Sequence, residues 1–366
     1  MKKIIIASTA LAAVAALALS GCSGETRGGD DSGSAAGEGF AADSLIGVAL
    51  PDKTSENWVL AGDLFKNGLD DAGFESDVQY AGASNAVKDQ QDQISSMVTN
   101  GAKVIIIGAK DGAQLGTQVQ QAKESGAVVI AYDRLILNTE DVDYYVAFDN
   151  FKVGQLQGQA LLDGLAAKGE KDSYNIELFS GSSDDSNAAV FFDGAMDVLQ
   201  PKIDDGTLVV VSGQTDIKQT ATAGWKPENA QSRMDTILQG SYPAGTELDG
   251  VLSPNDTLAR AIITSVEAAG RDVPVVTGQD SEVESVKSIV AGVQYSTIYK
   301  DTRALVAQAI EMAKELQEGG EATTNDDTYD NGSKIVPAFL LAPVIVTKEN
   351  AAEVYKNDPT LLELTK

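Results

Sequence analysis

Two doubly wound parallel-sheet lobes of α/β class are what three features of this 366-residue sequence predict. Short β-branched runs alternate with amphipathic stretches of helical period, glycines close several of those stretches, and the alternation restarts after residue 148. The first run, 45–50 (LIGVAL), is apolar at nearly every position, the pattern of a strand covered on both faces. A helix at 58–72 follows, then a strand at 78–80, a helix at 86–100, a strand at 104–107, a helix at 113–124 and a strand at 128–131. Gly73, Gly101 and Gly126 stand just past these helices, where a residue free to take positive φ ends them. A fifth strand at 144–148 completes the series. The second series has strands at 176–179, 208–211, 251–252, 275–277 and 294–298, with helices at 188–199, 228–238, 258–268 and 283–290.

Composition removes whole classes of chemistry. Lys and Arg total 27 against 54 for Asp and Glu, a formal charge of −27, so the chain repels nucleic acid. There is no histidine, which excludes Ser-His and Cys-His nucleophile pairs and the usual zinc ligand sets. The acidic stretch 325–332 looks like a calcium loop, but with Asp327 at position one Tyr329 falls where an oxygen ligand is required. No metal and no cofactor is expected. The lone Cys22 rules out an intrachain disulfide.

That cysteine closes a leader. Lys2 and Lys3 precede an apolar run from Ile4 to Leu19, and Leu19-Ser20-Gly21-Cys22 ends it with small residues. The run is about 16 residues, short of the roughly 20 a bilayer span needs, which weighs against a retained anchor; ordinary secretion is the other alternative. The segment resembles a bacterial lipobox, which implies cleavage before Cys22 and a diacylglycerol on its sulfur. Residues 1–21 are then a signal peptide, and 22–39, without one large apolar residue before Gly39, form a lipidated flexible tether. No later apolar run is long enough to span a bilayer.

In open α/β sheets ligands bind beyond the carboxyl ends of the strands, so function is sought there. The first series offers Pro51-Asp52-Lys53-Thr54-Ser55-Glu56-Asn57-Trp58, then Lys110-Asp111, then Asp133-Arg134. The second offers Asp184-Asp185-Ser186-Asn187, the polar loop from Gln214 to Trp225, Asn255-Asp256, Asp280 and Lys300. Carboxylates and amides accept from hydroxyls while Arg, Lys and Asn donate, so this set suits a neutral polyhydroxylated ligand. Trp58 and Trp225 are the only tryptophans, and an indole stacks on the apolar C–H face of a sugar ring.

These residues lie in segments that resemble the substrate-binding proteins of bacterial ABC sugar importers, in the xylose-binding and multiple-monosaccharide-binding branch of the type I periplasmic-binding-protein family. The matching segments include VIAYDRLI at 129–136, YYVAFDNFKVG at 144–154, NIELF at 175–179 and GAMDVLQP at 194–201. TGQD at 277–280, SVKSIVAG at 285–292 and YDNG at 329–332 continue the match. The resemblance implies lobes joined by three crossovers and closing on one monosaccharide, with 40–149 plus 301–330 as one lobe and 150–300 plus 331–366 as the other. It further implies that Asp133 and Arg134 bind sugar hydroxyls and the ring oxygen from the first lobe. By the same resemblance Asp185 and Asn187 match a second polar pair, Trp225 the stacking indole, and Asn255, Asp280 and Lys300 the remaining contacts. The resemblance also implies Arg before Trp58, and the departure to Asn57 is expected to alter which hydroxyl or anomer is preferred.

Plainer roles compete at several positions. Asp185 and Asp280 are each placed to cap the helix that follows, Trp58 opens an amphipathic helix and suits a core, and Lys300 could pair with Asp301 on the surface. Three functional classes stay open. The first is a non-enzymatic, monomeric, lipid-tethered receptor on the extracytoplasmic face, taking xylose, glucose or galactose to an ABC permease. The second hands its liganded form to a sensor kinase or chemoreceptor. The third is a carboxylate glycosidase, disfavoured because the acids are matched by cations and amides rather than arranged to raise one carboxyl pKa.

Overall fold

The computed structural model describes residues 39–366 apart from Thr54 and Ala83; Cys22, its leader and most of the tether lie outside the described residues. The chain enters through β1 (Leu45–Leu50), α1 (Glu56–Asp71), β2 (Glu75–Tyr80), α2 (Ala86–Thr99), β3 (Val104–Ile107), α3 (Gly116–Glu124), β4 (Val128–Tyr132) and β5 (Tyr144–Phe148). A second series follows: α4 (Asn150–Lys168), β6 (Tyr174–Leu178), α5 (Ser186–Asp204), β7 (Leu208–Val210), α6 (Ile217–Thr220), α7 (Pro227–Ser241), β8 (Gly250–Leu252), α8 (Asp256–Ala268), β9 (Val275–Val276), α9 (Val283–Ala291) and β10 (Ser296–Tyr299). The chain then returns through α10 (Thr302–Gln317), β11 (Ala338–Leu341) and β12 (Val344–Thr347), and ends in α11 (Ala351–Val354) and α12 (Pro359–Glu363).

The first sheet runs β2-β1-β3-β4-β5-β11, all parallel, and the second β7-β6-β8-β9, also parallel. Each winds outward from its first strand in the same sense, the doubly wound order. Strand periodicity explains why the runs are apolar throughout. In the first sheet Ile46, Val48, Leu50, Val104, Ile106, Ile130 and Tyr132 face one core, while Ala49, Ile105, Ile107, Val129 and Ala131 face the other. Helices cover both faces, so neither set of side chains meets water. The second sheet divides likewise, with Val251 and Val276 on one side and Ile176, Leu178, Leu252 and Val275 on the other.

Three connections join the lobes: Phe148 to Asn150, Tyr299 to Thr302, and Leu341 to Val344. The last corrects a boundary. Residues 331–341 were expected in the second lobe, but β11 pairs with β5 from Ala338↔Tyr145 to Leu341↔Phe148, and only β12 crosses to pair antiparallel with β10. Strand β2 starts three residues before the expected 78 because it is a partly exposed edge whose Glu75, Ser76 and Asp77 show no buried run. Helix α3 starts later than expected because a 3-10 turn at Gly112–Gln114, capped by Asp111, comes first.

Close packing of α4 on α5 sets one wall of the site. A Cβ on Gly154 would lie 2.0 Å from the Phe191 carbonyl, and one on Gly194 would lie 2.2 Å from that of Phe151, so both positions admit only glycine at this spacing. The approach brings together Asn150 and Asn187 near the two helix starts: Asn150 Nδ2 donates to Asn187 Oδ1 at 3.0 Å.

Candidate functional site

The carboxyl ends of both sheets face one cleft of about 820 Å³, including its open mouth. Asn57, Trp58, Asp133, Arg134, Asp185, Asn187, Trp225, Asn255, Asp280 and Lys300 all line it. Helix starts supply several of them. Ser55 caps α1, Asp185 caps α5 and Asn255 caps α8, each accepting a backbone amide and so satisfying donors that a helix start leaves free.

Backbone strain is concentrated here. Among the described residues, the non-glycine positions with φ in the left-handed region are Asp133 at 62°, Asn138 at 59°, Trp225 at 56°, Asp280 at 98° and Ser281 at 55°. Three of these five line the cleft and Ser281 adjoins it, and such conformations persist only where their surroundings hold them. Asp133 is held by its amide to the Val146 carbonyl at 2.8 Å and by its own carbonyl, which accepts from Tyr145 Oη at 2.9 Å and Asn187 Nδ2 at 2.8 Å. The Asp280-Ser281 turn is tied by the Asp280 amide to the Ile298 carbonyl at 2.9 Å and by Tyr355 Oη, which donates to Ser281 Oγ at 2.8 Å. Beneath it lies fully buried Asp256, which accepts from the Glu282 amide, Gln294 Nε2 and Thr297 Oγ1. Burial, then the like charges of Glu282 and Asp280, push the Asp256 carboxyl far above its ordinary pKa.

The plainer roles resolve differently at the two aspartates. Asp185 is the cap of α5, its Oδ1 accepting from the Asn187 amide at 2.9 Å, and it also lines the cleft. Asp280 is not a cap: Glu282 occupies that position of α9, and the Asp280 carboxylate pairs with Lys300 Nζ at 3.0 Å. The alternative surface pairing of Lys300 with Asp301 gives way to this one; Asp301 pairs with Arg303 instead. Trp58 serves both roles, packing edge-on to Tyr132 at 6.1 Å while lining the cleft.

Charge in the cleft is nearly compensated. Arg134 Nε lies 2.9 Å from Asp185 Oδ2 across the lobes, in charge contact without an aligned hydrogen bond, and its guanidinium sits 5.3 Å from the centre of the Trp58 ring. Trp225 Nε1 donates to the same Asp185 Oδ2 at 3.1 Å, which orients the indole. Gly181 leaves room for that indole, since a Cβ there would sit 2.2 Å from the ring. Lys300 faces Asp280 and Lys110 faces Asp52 at 3.0 Å. Burial disfavours the charged Lys300 amine, but Asp280 and Asp133 outweigh it and hold its pKa above the usual value. The Asp133 carboxylate has no hydrogen bond to any described residue. Burial raises its pKa despite Lys300 and Arg134, with Asp185 and Asp280 adding to the rise.

A raised folded-state carboxyl pKa means that the ionised form costs stability; the contribution is favourable below the unfolded value near 3.9 and is lost as pH rises through the folded value. Asp133→Asn is therefore expected to raise the ligand-free Tm at pH 7 by about 2 °C, with the gain vanishing below about pH 4. Melting curves across pH check this, and a lower Tm at pH 7 overturns it.

Residues outside the expected set also form the walls. Asp52 and Lys110 stood at the ends of the first and third strands, yet their pairing across the sheet has no sequence signature. Gln279 lines the cleft, and its Oε1 is buried without a hydrogen bond to any described residue. Phe191 lies below Lys300, 5.5 Å from the ring centre to Nζ.

Known proteins are similar to this chain over most of its length. Residues 46–321 match a family described as a periplasmic binding protein domain. The multiple sugar-binding periplasmic receptor ChvE of Rhizobium radiobacter is 48% identical over 86% of this chain and 90% of its own length. The D-xylose-binding periplasmic protein of Escherichia coli is 37% identical over 86% of this chain and 89% of its own. An ABC transporter solute binding protein from Clostridium phytofermentans, solved with bound β-D-glucose, superposes with a TM-score of 0.83 at 43% identity, covering 88% of this chain and all of that one.

Proposed function

We propose that this chain, which belongs to the periplasmic binding protein domain family and is an extracytoplasmic, non-enzymatic sugar receptor, takes one neutral aldopyranose of xylose, glucose or galactose type. The observation that carries the ligand class is the charge arrangement. Each cleft cation already faces a carboxylate, leaving the Asp133 carboxylate to receive hydroxyl donors. In this reading Asp133, Arg134, Asp185, Asn187, Asn255, Asp280 and Lys300 hold the hydroxyls, Trp225 covers the ring face, and Asn57 and Trp58 bound the far side. Cross-lobe bonds such as Asn187 Nδ2 to the Asp133 carbonyl exist only when the lobes meet, so a ligand touching both lobes favours closure.

Calorimetry against pentoses, hexoses and the corresponding uronates tests the ligand class. Neutral aldopyranoses are expected to bind at least about tenfold more tightly than their uronates, because an added carboxylate meets the uncompensated Asp133. No heat with any neutral sugar overturns the reading.

The closed, monomeric form delivers its sugar to an ABC permease from a lipid anchor on Cys22. Support for the anchor comes from the leader ending Leu19-Ser20-Gly21-Cys22. Cys22→Ser should release the protein from membranes, and deletion of the protein should abolish uptake of the bound sugar. Retained uptake with a lost transcriptional or chemotactic response would assign a sensing role instead.

A further inference from the structure

We propose that Glu56 is a positioning residue for sugar capture: a latch that locks the closed cleft without touching the ligand. The proposal rests on the sugar-binding reading above. Glu56 is exposed and absent from the cleft wall, whereas its neighbour Asn57 lines it. From the first turn of α1, Glu56 Oε2 accepts a hydrogen bond from the Val283 amide at 3.1 Å, joining residues of opposite lobes. Val283 is the first residue of α9, where amides lack helical acceptors and the macrodipole favours a negative charge.

The second lobe supplies no side-chain cap of its own at this helix start. The cap position is Glu282, but its carboxylate is engaged by Thr257 Oγ1, at 3.0 and 2.7 Å, and by Arg260 at 2.7 Å; it makes no cap bond. Its amide is already given to Asp256 at 3.0 Å. The Val283 amide therefore obtains its protein acceptor only when the first lobe closes over it. Two bonds flank the same closure, Asn57 Nδ2 to the Asp280 carbonyl at 3.3 Å and Ser186 Oγ to the Leu135 carbonyl at 3.0 Å, but neither carries a charge.

A latch of this kind slows release and leaves selectivity alone. Stopped-flow tryptophan fluorescence should show Glu56→Ala raising koff about fivefold for every sugar that binds, with kon and the ratios between sugars unchanged. Glu56→Lys, which sets a cation against the helix start, should raise koff about tenfold or more, and Glu56→Gln, which keeps an acceptor oxygen, should stay within about twofold. The ligand-free Tm should be unchanged in all three. Wild-type koff in Glu56→Ala overturns the latch alone, as does a change confined to one sugar or a matching fall in ligand-free Tm. A wild-type protein silent to every sugar overturns the binding reading, and the latch with it.

Discussion

Asp185→Ala is expected to weaken monosaccharide binding by about 3–4 kcal/mol, raising Kd by about two to three orders of magnitude. One carboxylate does three jobs here. Its Oδ1 caps α5 through the Asn187 amide at 2.9 Å, and its Oδ2 faces Arg134 Nε at 2.9 Å and accepts from Trp225 Nε1 at 3.1 Å. Arg134 belongs to the first lobe and Asp185 to the second, so in an open molecule the guanidinium is free to be solvated. Closing a variant without the carboxylate would bury that cation against the Trp58 ring with no counter-charge, and the penalty falls on the closed state alone. The freed indole would also lose the partner that fixes its plane. Loss of the cap should cost only about 1 kcal/mol of fold stability, so calorimetry and melting curves separate the two effects. Asp185→Asn, which can retain the cap acceptor without the charge, should fall between. A Kd for Asp185→Ala within threefold of wild type would mean that Arg134 finds another partner on closure.

Why this site could be read so far from residues alone follows from the sheet. Strands buried on both faces must be apolar, so a carboxylate, amide or cation directly after one marks a position the core does not require, and Asp133, Asn255 and Lys300 stand out on that ground. Lobe winding was legible for the same reason, since the runs at 45–50, 104–107 and 144–148 are the strands β1, β3 and β5 without adjustment. What escaped depends on partners distant in sequence. The Asp52–Lys110 pair requires β1 and β3 to be neighbours. The Arg134–Asp185 contact and the Glu56 bond to Val283 require the lobes to have met. Strand β11 is a short run placed by β5, which is why the last crossover was expected too early. Asp280 lies near enough to the helix at 283–290 for a cap to compete with a ligand contact, but its φ of 98° turns the residue so that its side chain reaches Lys300. Local propensity gives no hint of that conformation, which is unusual for any residue with a Cβ.

Lys300→Met should cost about 3 kcal/mol of sugar binding at pH 7 and, unlike any change confined to packing, should bind more tightly as the solution is acidified. Lys300 stands 3.0 Å from Asp280 in its own lobe, and its charge also lowers the Asp133 carboxyl from across the cleft. Methionine preserves much of the stem over Phe191 and removes only the charge. Asp280 would then lose its cation, Arg134 would still face Asp185, and the Asp133 pKa, already raised by burial, would climb further without Lys300. Protonating it relieves the repulsion that opposes closure. Affinity of the variant is therefore expected to improve by about threefold or more between pH 7 and pH 5, while wild type holds steady or weakens as its Asp133 acceptor begins to neutralise. Wild-type Lys300 has linkage of the same sign in a different window: its raised pKa contributes stability throughout the neutral range that is lost only as pH rises beyond about 10.4. Titration calorimetry of both proteins at pH 5, 6 and 7 decides the matter, because a variant whose affinity is flat or falls with acid would show that Lys300 acts by shape and not by holding the carboxylates together.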